Sequence, residues 1–121
     1  MGTINTGHQG GFTASADCSA KQYRFAVISG NRTVTFAGTA GVICVGVIAN
    51  KAASGQAVDL MIGPEVKIEL SATLTAGAKV MTTNVGTAAA ATTGLVILGQ
   101  LNEGGVAGDV VAMMFEPNTV V

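Results

Sequence analysis

The chain has 121 residues, with 6 Lys plus Arg against 7 Asp plus Glu, a net charge of −1. That balance, without any basic run, excludes the electrostatic footprint of a nucleic-acid binder, and no apolar run approaches the roughly 20 residues of a membrane-spanning helix. Charged residues are only 11% and aromatic residues 4% of a chain that is 49% hydrophobic, so much of its exterior is neutral or apolar, the kind of surface that meets a partner.

At this length one domain is expected. Residues 1–21 are rich in Gly, Thr, Ser and Ala, with Phe12 as the only large apolar side chain after Ile4. They sustain no period of two or 3.6 and read as an extended N-terminal arm, ordered only if something holds it. The segment lacks the basic and apolar regions of a secretory leader. From residue 22 the β signals begin. Tyr23–Ser29 and Arg32–Ala37 flank Gly30-Asn31 and predict a hairpin. Val42–Ile48, interrupted by Gly46, and Gln56–Ile62, closed by Gly63-Pro64, follow as strands. Glu65–Leu70 alternates strictly, with Val66, Ile68 and Leu70 inward and Glu65, Lys67 and Glu69 outward. Ala78–Thr82, Leu95–Leu101 and Asp109–Phe115 complete the set, and the Ala/Thr/Gly run 83–94 reads as a loop with a short strand. No apolar stripe at helical spacing appears. The class is all-β, about eight short strands in a small sandwich or barrel over residues 22–121.

The chain also repeats itself. A gapless offset that carries Gly46 onto Gly99 also carries Thr39 to Thr92, Gly41 to Gly94 and Gly55 to Gly108. It continues through Val58 and Val111, Met61 and Met114, and Pro64 and Pro117. Residues 39–64 and 92–117 are thus two copies of one β-hairpin. Each has a strand, a small-residue loop ending at a glycine that needs positive φ, and a return strand stopped by proline. One hairpin cannot bury its apolar face in water, so two copies build a core together.

Within these repeats, G-V-I-A-N-K-A-A-S-G-Q-A-V-D-L, V-K-I-E-L, T-A-G-A-K-V and L-G-Q-L-N-E-G-G-V-A-G-D-V-V-A-M together resemble the capsid decoration, or head cement, proteins of tailed bacteriophages. The resemblance covers residues 22–117; it departs at Ala78, where an acidic residue is usual, and in the long arm. It implies a β-rich homotrimer on the outer capsid surface of the virion, made in the host cytoplasm. There it would bind the major capsid protein and clamp neighbouring shell subunits.

The residues that could carry chemistry have simpler readings. His8 with Asp17 and Ser15 or Ser19 could be drawn as a triad, but nothing in the arm orients them. One His with scattered carboxylates does not supply a metal site. Cys18 and Cys44 have no metal-type spacing and read as reduced, partly buried thiols, with a bridge between them as the alternative. Glu65 and Glu69 are solvated strand charges, and the Gly-rich stretches near 38–41 and 104–108 are turns without the Lys of a phosphate loop. Lys51, at a hairpin tip as in lipoyl or biotinyl carrier domains, lacks their usual acidic or Met neighbours and reads as a solvated lysine. The expectation is a structural protein, not an enzyme, with no cofactor, metal, nucleic acid or membrane. Ile4, His8, Phe12, Tyr23 and Arg24 are the expected capsid or subunit interface; Phe12, Tyr23 and Arg24, with Phe25, are the densest large side chains and read as core or interface anchors, the residue types that dominate contact energy. The other reading is a non-enzymatic β-sandwich module for glycan, against which stand one Tyr and no Trp.

Overall fold

The structure, a computed structural model, describes residues 8–62, 65–92 and 95–120. These form ten strands and no helix: β1 (His8–Ala14), β2 (Phe25–Gly30), β3 (Thr33–Phe36), β4 (Gly46–Ile48), β5 (Ala57–Met61), β6 (Glu65–Glu69), β7 (Lys79–Thr82), β8 (Ala88–Ala90), β9 (Val96–Leu101) and β10 (Val110–Val120). The all-β expectation holds. The first five strands close into a barrel in the order β1-β3-β2-β4-β5, and the last five form a sheet in the order β6-β10-β9-β7-β8.

The hairpin repeat is exact in register. In the first copy Val47 opposes Met61 and Ile48 opposes Leu60. In the second, Gln100 opposes Met114 and Leu101 opposes Met113. The loop glycines Gly55 and Gly108 have φ of 84° and 91°, as the repeat requires. Even the loop bonds recur: the Ala53 amide donates to the Gln56 side chain at 2.9 Å, and the Val106 amide to the Asp109 carboxylate at 2.9 Å.

The duplication extends past the hairpins. Ala26 pairs with Phe36 and Gly46, and Val80 pairs with Ala90 and Gly99. Phe12 and Thr13 oppose Val58 and Ala57, and Ile68 and Glu69 oppose Val111 and Val110. Outlying bridges match too, Cys18 with Ala52 and Leu74 with Gly105. The chain is therefore two copies of one five-strand unit, β1–β5 and β6–β10, joined in the same strand order.

Three sequence expectations change. The segment expected as an arm is extended from His8, but this chain's own β5 and β3 hold it as the first barrel strand. Its alternation was hidden by a register shift between Gln9 and Phe12, where Gly11 takes a φ of 88°. The fold therefore starts by His8, not at residue 22. The first-copy strand expected from Val42 begins only at Gly46. The last strand does not stop at Pro117. It runs to Val120, and Pro117 falls inside the shift between Phe115 and Thr119, where a missing N–H is tolerated. Pro64, the matching stop, lies outside the described residues.

Successive residues of a strand face opposite sides, and the first unit uses both. Ala26, Ile48, Val58 and Leu60 fill the barrel interior with Ala14, Cys18, Val34 and Ala52. Their neighbours Phe25, Val47 and Met61 face outward, into a core shared with Val66, Ile68, Leu70, Val80, Leu98, Leu101, Met113 and Phe115 of the second unit. Phe25 stacks on Phe115 with ring centroids 6.3 Å apart. Each fully buried aliphatic or aromatic side chain contributes about 1.5–3 kcal/mol.

Candidate interaction surface

The expected interface residues fall in three places. Ile4 lies outside the described residues. His8 opens β1 opposite Met61, and its side chain also lies outside them. Phe12 is half-buried against the barrel core, capped by the Arg32 guanidinium 4.7 Å from its ring centroid. Arg32 Nε also donates to the Gly11 carbonyl at 3.1 Å, tying β1 to the β2–β3 turn.

Tyr23 and Arg24 sit between the two units. The Tyr23 carbonyl accepts from the Glu69 amide at 2.9 Å, and the Phe25 amide donates to the Gly86 carbonyl at 2.8 Å. Arg24 Nε and Nη2 reach the Glu69 carboxylate at 3.3 and 3.4 Å, while Nη1 donates to the Val85 carbonyl at 3.0 Å. Large side chains here do anchor a contact, but it is the contact of one half of the chain with the other.

The outward apolar surface lies elsewhere. Ile28, Ile43 and Val45 are exposed on the first unit, and Val85, Val106, Val110 and Met114 on the second, with Ile43 the most open at 60%. Sequence reasoning missed Ile28, Val110 and Met114 because an aliphatic residue in a strand reads alike on a covered or an uncovered face, and Ile43, Val45, Val85 and Val106 lie in the connections between strands, where no alternation marks a face. The only signal was global, too few charges to cover the outside.

No group of three His, Cys, Asp or Glu among the described residues is placed to hold a metal. The Asp17 carboxylate accepts from the Ser19 amide at 3.0 Å, closing a turn. Hydrogen bonds from the Ser19 side chain and backbone hold that carboxyl below its usual range. Cys18 and Cys44 are free and buried, and desolvation pushes the Cys44 thiol up to about 12. Lys51 is exposed beside Asn50, whose side chain spans the hairpin by donating to the Ala57 carbonyl at 3.0 Å and accepting from the Asp59 amide at 2.9 Å.

No family model matches the chain, and no curated protein matches it. Among solved structures it is similar to the N base of the head fiber gp8.5 in bacteriophage phi29. The TM-score is 0.72 at 15% sequence identity, and the match covers 90% of this chain and 92% of that one. The likeness is one of fold. Its coverage takes in both five-strand units, so the paired architecture, and not the hairpin alone, is what the two chains share.

Proposed function

We propose that this chain is a structural, non-enzymatic protein of a bacteriophage head, seated on the outer capsid surface. The observation that carries the reading is a fold shared, over 90% of the chain, with the base of a phage head fiber. The repeat motifs that resemble head decoration proteins support it independently. So do the low charge and the exposed aliphatic side chains on both units, since neutral surface loses little hydration on contact. Many copies on one shell would bind as a lattice, so that weak single contacts hold firmly together.

On this reading the protein acts as a cement. It contacts neighbouring major capsid subunits, self-associates as a trimer, and uses residues 1–7 with Ile4, together with the His8 end of β1, as its first point of contact. The test is to mix the purified protein with undecorated heads and count bound copies. Saturable occupancy at fixed sites is expected; no binding above that of an unrelated β protein overturns the proposal. Deleting residues 2–7 leaves every barrel strand in place and should lower occupancy. Full occupancy would remove the role of that segment, and a monomer in sedimentation at micromolar concentration would remove the trimer.

A further inference from the structure

The two units share a strand order but close differently, and the difference traces to three residues. In the first unit the Thr13 amide of β1 donates to the Arg32 carbonyl of the β2–β3 turn at 2.8 Å, which helps shut the barrel. The register makes Glu69 the twin of Thr13 and Gly86 the twin of Arg32. In the second unit those twins do not bond each other. The Glu69 amide goes to the Tyr23 carbonyl, and the Gly86 carbonyl takes the Phe25 amide. The parallel closure, Thr13 with Thr33 and Ala14 with Val34 in the first unit, shrinks to the single bridge Leu70–Ala88.

We infer that Tyr23–Phe25 is a strap: it occupies the closing seam of the second unit and so locks the two units into one cooperative body. The Arg24 side chain repeats the backbone's work, bonding Glu69 on one lip and the Val85 carbonyl on the other. Phe25 anchors the strap in the shared core with no exposure. Tyr23 holds a φ of 66° at the position where its twin, Gly77, has 88°. The equivalence is fixed by the next bonds, the Tyr23 amide to the Ile48 carbonyl and the Gly77 amide to the Leu101 carbonyl, both 2.8 Å. A tyrosine in a conformation suited to glycine persists where its surroundings hold it. Gly86 shows the reverse: a Cβ there would lie 3.1 Å from Arg24 Cβ and 3.2 Å from the Phe25 carbonyl oxygen. The strap fits because the second unit has glycine where the first has Arg32.

The strap goes beyond the proposed role on a phage head and is tested without heads. Native-state hydrogen exchange on the full chain, at rising denaturant, reads the opening of each unit. In the wild type the Phe25 and Glu69 amides should open together with β2 and β9. Gly86→Ala should uncouple them, with β6–β8 amides exchanging about tenfold or more faster than those of β1–β5. Gly108→Ala is the control, since that residue also has positive φ but nothing within 4 Å of an added Cβ; it should lower both units equally. If Gly86→Ala does not fold, Arg24→Ala should give the same uncoupling to a smaller degree. Independent opening in the wild type overturns the strap. So does a Gly86→Ala profile that matches Gly108→Ala, or unchanged coupling in Arg24→Ala.

Discussion

The ladder Phe25–Val47–Met61 and its twin Lys79–Gln100–Met114 occupy the same places in two copies of one strand order. The first is buried, none of its side chains above 8% exposed; in the second Lys79 and Gln100 face solvent and Met114 is 43% exposed. One backbone thus accepts an apolar or a polar face. The difference teaches that pairing and turns set the topology, while the neighbour laid over a face decides which residues it needs. The first unit is covered by the second; the outer face of the second carries charge and amide groups.

The largest effect should come from breaking that contrast directly. Phe25→Ala removes the ring stacked on Phe115 and should cost about 3–5 kcal/mol in urea unfolding, while Lys79→Ala at the twin position should stay within about 0.5 kcal/mol. Equal losses would show that the two faces are not differently covered. Next come the twin glycines. A Cβ on Gly99 would run into the Met114 carbonyl oxygen at a φ of 154°, whereas one on Gly46 meets Ile62 Cγ2 at 2.8 Å and the Met61 oxygen at 3.0 Å. Gly99→Ala should therefore destabilise by about 3 kcal/mol or more and Gly46→Ala by about 1–2 kcal/mol. The order of their urea midpoints checks this.

A smaller effect separates the hairpin tips. Asn50 and Glu103 each accept a twin backbone amide, from Asp59 at 2.9 Å and Ala112 at 3.0 Å, but Asn50 also donates to Ala57. Alanine at Asn50 should cost about 1–1.5 kcal/mol and at Glu103 about 0.5–1 kcal/mol, seen as shifts in thermal midpoint. The smallest effect, nil near neutral pH, belongs to Cys44. Its folded thiol is raised from 9.0 to about 12 by burial. Above pH 9 the unfolded chain loses that proton while the folded chain keeps it, so stability should fall as pH rises from 9 towards 12. Cys44→Ala should flatten that fall, and a thiol reagent at pH 8 should label Cys44 only in denaturant.

The legible part of the fold was the part where geometry forbids substitution. Gly46 and Gly99 lie against carbonyl oxygens, Gly55 and Gly108 need positive φ, and so the hairpin repeat showed as identities. The rest of the duplication left no such trace. Phe25 answers Lys79 because a strand asks only for alternation and a neighbour can rewrite either face, while in the turns Tyr23 answers Gly77 and Arg32 answers Gly86, all four at positive φ, because surrounding contacts can hold a side chain in that conformation. The offset also drifts, from Thr13 and Glu69 to Ala26 and Val80 to Gly46 and Gly99, which a gapless comparison cannot follow. Of the candidate contact residues, Tyr23 and Arg24 stood out by size. Their placement inside the seam depends on Glu69, Val85 and Gly86, all far along the chain, and no local pattern links them.

Local sterics and period-two alternation thus determined, from the sequence alone, an all-β chain with turns at its glycines, a doubled hairpin and a charge-poor exterior. Only the tertiary structure decided that His8–Ala14 closes a barrel, that the second unit stays open around Tyr23–Phe25, and which apolar residues face outward. The physical reason is range: φ, proline and side-chain alternation act within a few residues, whereas burial and closure depend on what a distant segment lays over each face.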